Sequence, residues 1–200
     1  MRDLDLPPIA LEYLTTRNAS RTAPTTDPLS LTHRLTVCGC PIHPAVLEFE
    51  ASYGGIQLIE SDPEVPTLVV GPFACHSPSF RSRDEDRVMV MHASNDIVYA
   101  LDAEGGGWAW ATMCDGPRRA ARDGRELFTQ ALLWRALETH PKSYDFLEGR
   151  QGEARAQELG LTPIDDASCE YERWWGSLDR LLVEIERGNG FEGPITYLAR

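Results

Sequence analysis

The sequence predicts an α+β fold: a mainly antiparallel, twisted sheet of about five to six strands with helices packed on it. Three observations lead there. Five strand-length apolar runs, at 56–60, 67–70, 88–92, 97–101 and 108–113, follow one another separated by turn residues. The link between the last two is glycine-rich, Asp102-Ala103-Glu104-Gly105-Gly106-Gly107, which suits a hairpin rather than a crossover helix. Segments on both sides of these runs change to the helical period, so the helices flank the strands instead of alternating with them.

In chain order, residues 1–27 form an N-terminal segment and loop. One short helix is expected within 1–18, with Ile9, Tyr13 and Leu14 on its apolar side, and the Ser-, Thr-, Ala- and Pro-rich 18–26 reads as loop. Asp27 is a good N-cap and Pro28 suits the first helical position; Leu31, Leu35 and Cys38 follow at helical spacing before Gly39. Pro44 opens a second helix, with Val46, Phe49 and Tyr53 as its apolar stripe, and Gly54-Gly55 supplies a left-handed stop directly before the strand at Ile56. In Trp108-Ala109-Trp110-Ala111 large and small residues alternate, which puts both tryptophans on one face, expected to be the face under the helices. Asp123-x-x-Glu126 is a capping box for a helix running through Glu138. A further helical stretch lies at 151–159, ahead of Gly160. Last, Tyr171, Trp174, Trp175, Leu178, Leu181, Leu182 and Ile185 fall at i, i+3, i+4, i+7, i+10, i+11 and i+14, which predicts a helix within 169–190. That helix either docks on its own domain or forms a dimer seam. Residues 28–143 make the core domain and 144–200 a C-terminal helical extension packed on it.

The proline-led helix closed by paired glycines, Pro44 to Gly55, and the strand of the second segment, Asn95-Asp96-Ile97-Val98-Tyr99-Ala100-Leu101-Asp102 with its glycine turn, resemble the SUKH superfamily. This is the Smi/Knr-type domain of fungal cell-wall regulators and bacterial toxin-immunity proteins. The helix after the hairpin fits as well. One departure is that family members often carry leucine before the helix proline, where this chain has His43. The resemblance implies an immunity protein that binds and neutralises a toxin delivered by a neighbouring cell. An intracellular scaffold or regulatory module is the alternative within the family, and an uncharacterised enzyme or metal-binding protein the alternative outside it.

Charge narrows the partner. The 200 residues carry 31 Asp and Glu against 19 Lys and Arg, a net charge of −12, which repels a nucleic-acid duplex and suits either a basic protein partner or simple solubility. From Leu35 to Phe80 there are five acids and no lysine or arginine, whereas Arg118, Arg119, Arg122 and Arg125 cluster further on. The acids Glu48, Glu50, Glu60, Asp62 and Glu64 are therefore candidate partner-binding residues, with Glu48 turned away from the helix core and Glu50 on its flank. The charged tip of the irregular segment 71–87, with Arg81, Asp84, Glu85 and Asp86, is a second candidate contact loop; a solvated excursion is the alternative.

Catalytic and cofactor motifs are missing. There is no Gly-x-Ser-x-Gly elbow, phosphate-cradling loop or His-Glu-x-x-His, so no cofactor and no catalytic residue is assigned. Cys38-Gly39-Cys40, His43 and Cys75-His76 lack the Cys-x2–4-Cys spacing of structural zinc sites, and no metal is expected. The start, Met1-Arg2-Asp3-Leu4-Asp5, has no secretory character, and no apolar run nears the about 20 residues that span a bilayer. Cytoplasmic residence without membrane attachment is the expectation.

Overall fold

Two helices start at an aspartate whose carboxylate accepts a first-turn N–H, and two others open on a proline, which has no N–H to satisfy. In a computed structural model that describes residues 3–21, 27–58, 68–71, 86–93, 97–111, 116–139, 144–148, 151–186 and 195–199, α1 (Pro8–Thr16) begins with proline at its first turn and buries Ala10, Tyr13 and Leu14. A two-residue strand β1 (Ser20–Arg21) follows, inside the stretch expected to be loop. In α2 (Pro28–Val37) the Asp27 carboxylate accepts the Ser30 N–H, and Leu31 and Leu35 face inward. Next comes α3 (Pro44–Tyr53), which buries the predicted Val46, Phe49 and Tyr53. Arg21 reaches from β1 to the far end of α3, donating to the carbonyls of Gly54, Ala51 and Ser52 at 2.9, 3.2 and 3.3 Å. A cation on these last carbonyls also complements the helix dipole.

The fold is α+β, as expected, with two antiparallel sheets. Strands β2 (Ile56–Leu58), β3 (Leu68–Val70), β4 (Val88–Ala93), β5 (Ile97–Leu101), β6 (Gly107–Ala111) and β7 (Arg118–Ala121) join β1 in a seven-stranded meander in chain order. Across the hairpin, Ile97 pairs with Ala111 and Leu101 with Gly107. The long helix α4 (Gly124–Glu138) begins at Asp123, whose carboxylate accepts the Glu126 N–H at 2.8 Å. Glu126 reaches back one residue further than a capping box requires, taking the N–H of Arg122 at 3.0 Å.

The tryptophans of β6 correct one expectation. The small residues, not the large ones, face the helix: Ala109 is buried, and a Cβ at Gly107 would lie 2.8 Å from Ala121 Cβ and 2.9 Å from Leu127 Cδ1. Close approach of α4 thus requires glycine at 107, and Trp108 and Trp110 lie half-buried on the opposite face.

The C-terminal part is the larger correction. No helix occupies 172–185, and residues 144–200 are not a helical extension. After β8 (Tyr144–Glu148) and the short helix α5 (Gly152–Leu159), the chain forms a hairpin of β9 (Glu172–Ser177) and β10 (Arg180–Ile185), completed by β11 (Ile195–Ala199). These strands make a second sheet in the order β8-β11-β10-β9. The reason lies in burial on both faces. Trp174, Leu181, Val183 and Ile185 belong to the main core beneath α4, whereas Trp175, Leu182 and Leu198 pack with Ala156 of α5. A strand pair covered on both sides has apolar residues at both parities, and in 174–185 their sum mimics a helical stripe.

One buried ionic network ties the two sheets through α4. Glu172 is fully buried; one carboxylate oxygen takes the Arg118 guanidinium and the other accepts the indole N–H groups of Trp134 and Trp174, each at 3.1 Å. The two indoles meet edge to face at 5.3 Å. Among the described residues no helix is long and apolar enough to cross a membrane.

Candidate functional site: the corner between α3 and the β5–β6 hairpin

The two segments singled out in the sequence meet in space. The hairpin tip passes the N-terminus of α3 so closely that a Cβ on Gly105 would sit 3.3 Å from the Ala45 side chain. Gly105 also has φ +85°, where a side chain is strained. His43, the extended residue before Pro44, is buried, and its Nε2 lies 2.6 Å from the Asp86 carbonyl oxygen. The start of β4 is thereby pinned to the start of α3.

Asp102 organises the hairpin. One carboxylate oxygen accepts the backbone N–H groups of Glu104 and Gly106 at 3.0 and 2.8 Å. The other accepts Trp108 Nε1 at 2.8 Å and the Arg119 guanidinium at 2.6 Å. Gly106 leaves room for this, because a Cβ there would fall on the Arg119 guanidinium. Arg87 lies against the Trp108 ring, its guanidinium carbon 3.5 Å from the centroid. Partial burial pushes the Asp102 carboxyl up, but the Trp108 and Gly106 hydrogen bonds, the Arg119 charge and the Glu104 N–H prevail and hold it below the usual range.

Its pH dependence follows in sign. A carboxyl whose pKa is lowered by folding stabilises the fold above its unfolded value, about 3.9, and loses that contribution as pH falls through the lower folded value. Asp102→Asn keeps the shape but turns an amide donor or a weaker acceptor toward Trp108 and Arg119. We expect a loss of about 1–3 kcal/mol at neutral pH, and a gap from the parent protein that closes as the pH drops below about 4. Urea unfolding at pH 7, 5 and 3 measures it; a gap constant down to pH 3 would remove the ionised carboxylate from the explanation.

The predicted binding residues divide. Glu48 is exposed, one turn along α3 from Ala45 and on the same side. Asp86 is exposed beside the His43 clamp, and Glu104, not singled out from sequence, is exposed on the hairpin tip. Glu50 is corrected: it is 5% exposed, folded inward against Gly54 and Gly71, so it offers nothing to a partner. This also revises the paired glycines. Gly55 alone adopts the left-handed conformation, at φ +79°; Gly54 has φ −53° and is needed because a Cβ would overlap the Glu50 carboxyl group. Glu60, Asp62, Glu64, Arg81, Asp84 and Glu85 lie outside the described residues.

The arginine cluster is engaged internally. Arg118 pairs with Glu172, Arg119 with Asp102, Arg122 with Glu126 at 2.9 Å, and Arg125 with Asp166 at 3.1 Å and Asp5 at 3.5 Å. Sequence spacing places these cations together; most of their partners come from remote segments and are not readable from it. Asp102 leaves a local signal, since aspartate before a glycine turn commonly accepts backbone N–H groups a few residues on.

The arrangement presents charge and shape rather than reactive groups. Burial pushes the Cys169 thiol up to about 11, away from the thiolate a nucleophile needs. Among the described residues no three His, Cys, Asp or Glu side chains converge to hold a metal. Comparison with known proteins returned no matching family model, no matching curated protein and no matching solved structure.

Proposed function

We propose that this chain is a non-catalytic immunity-type protein that binds a basic protein toxin and neutralises it stoichiometrically by occluding it. A nuclease is the toxin class that such acids fit best, because they would stand in for a nucleic-acid backbone. The observation that carries the reading is the corner itself: Glu48, Asp86 and Glu104 stand exposed around a scaffold fixed by the His43 and Asp102 hydrogen bonds. Acids held on rigid elements attract a cationic partner with little ordering cost, and they speed its association in a salt-dependent way. The resemblance of the α3 and hairpin segments to toxin-immunity proteins supports the same reading.

The test is co-expression with the protein encoded by the adjacent gene. Growth should be restored at about one copy of this chain per toxin, as stoichiometric blocking requires. Full protection far below that ratio would overturn occlusion in favour of an enzymatic antidote; binding without protection would favour the scaffold alternative. In the Glu48→Lys/Asp86→Lys/Glu104→Lys variant, association at low salt should slow by about tenfold or more, with an unchanged melting profile. Equal association and dissociation rates in the folded variant would remove this corner as the contact surface.

A further inference from the structure

Arg87 is stacked but not paired. Its guanidinium carbon lies 3.5 Å from the centroid of the Trp108 ring, van der Waals contact, at which a planar guanidinium lies flat on the indole. Lying flat, it directs its N–H groups within its own plane, past the rim of the ring. Among the described residues it has no hydrogen-bond or ion-pair partner, Asp86 beside it in sequence included. Arg119 gives the contrast: its guanidinium is 5.4 Å from the same centroid and is neutralised by Asp102 at 2.6 Å. One indole thus carries two cations, of which one has its anion.

The stack is fixed before any ligand arrives. Trp108 Nε1 donates to Asp102 at 2.8 Å, and Asp102 is itself held by the Glu104 and Gly106 N–H groups. Arg87 is half-buried, directly before β4. Beside it the sheet offers apolar surface: Met89, Ala100 and Trp108 stand in register across three strands, and half-buried Trp110 lies two residues along on the same face. A fixed guanidinium fork next to such a surface matches a planar, bidentate acceptor flanked by apolar atoms, the chemistry of a protein carboxylate. Charge selects its carrier. A polyanion would meet exposed Asp86 and Glu104 around the fork, whereas a mostly basic surface bearing one carboxylate meets both signs correctly placed.

We propose that the Arg87 fork, laid on Trp108, receives a carboxylate of the protein partner and so sets the register of an otherwise basic surface against Asp86 and Glu104. The carboxylate site stands on the stack itself; the partner's identity alone rests on the immunity reading.

Two measurements separate the site from that reading. The first needs no natural partner. The capped peptide Lys-Leu-Glu-Leu-Lys should shift the Arg87 Nε–H and Trp108 Nε1–H resonances of the full chain saturably, with a midpoint of about 1–10 mM. The same peptide with glutamine for glutamate should bind at least about tenfold more weakly. Equal shifts by the two peptides, or no saturation by either, would overturn the site. The second measurement uses the protein encoded by the adjacent gene and variants with native circular dichroism. Arg87→Ala should speed its dissociation about tenfold or more while association changes less than about threefold, the reverse of the charge reversal at the corner. Arg87→Glu should bind more weakly still, because two carboxylates then face each other. Tighter binding by Arg87→Glu than by Arg87→Ala would show a base opposite this position and overturn the proposal. Carboxylate-dependent peptide binding without binding of the adjacent-gene protein would support the site and overturn the immunity reading instead.

Discussion

Replacing Glu172 by alanine should destabilise the protein by about 3–5 kcal/mol, the cost of removing one partner from a buried ion pair. The loss reaches three elements at once. Arg118 on β7 keeps its charge without its carboxylate, and the indole N–H groups of Trp134 on α4 and Trp174 on β9 lose their acceptor. For a chain of this size each kcal/mol shifts the melting temperature by roughly 2–4 °C, so a fall of about 6–20 °C is expected. Glu172→Gln keeps an acceptor for the indoles and should cost less, about 1–3 kcal/mol. The double replacement Arg118→Met/Glu172→Met removes both charges together and should recover part of the alanine loss. If Glu172→Ala melted within about 2 °C of the parent protein, less than a single kcal/mol, the network would not be joining the sheets.

The segments whose structure depends on neighbours in sequence are legible. Asp27 and Asp123 cap α2 and α4 as their spacing indicates, and the β5–β6 hairpin follows from its turn. What is not legible depends on which faces become covered. The alternation in β6 is real, but Gly107 lies too close to Leu127 of α4 for any side chain, and Ala109 shares its buried face, which reverses the expected one. Glu50 sits between apolar positions and reads as a flank residue; space opened by Gly54 and Gly71 draws its carboxylate inward. The candidate site is half legible for the same reason. Glu48 and Asp86 stand out from charge along the chain, whereas Glu104 comes to the corner only because Gly105 lies against Ala45. The arginines near α4 resemble a free basic patch in sequence because Asp5, Asp102, Asp166 and Glu172, which pair with three of them, are distant along the chain.

Gly176→Ala should be the second most damaging substitution, at about 3 kcal/mol or more, because it combines backbone strain with a collision. Gly176 has φ +111°, and a Cβ there would fall on the carbonyl of Arg180, across the hairpin in β10. Only the two residues Leu178 and Asp179 link the paired Ser177 and Arg180. Such a loop ordinarily needs positive φ at one or both positions to match the strand twist. Among the described residues the only non-glycine with positive φ is Asn18, so this turn lacks that device and the adjoining Gly176 absorbs the mismatch. Its N–H is also committed, donating to the Thr162 carbonyl at 2.8 Å, so the residue has little freedom to shift. In the sequence this glycine falls inside the supposed helix, off its apolar stripe, and a glycine there marks a bend or bulge more naturally than a helix interior. Gly160 separates the two costs. It closes α5 at φ +66°, and a Cβ added there would meet nothing within 4 Å, so Gly160→Ala should show conformational strain alone, about 1–2 kcal/mol. Thermal melts of both variants should therefore rank Gly176→Ala well below Gly160→Ala. Equal melting temperatures would mean that the Arg180 carbonyl yields freely and that the hairpin does not depend on this glycine.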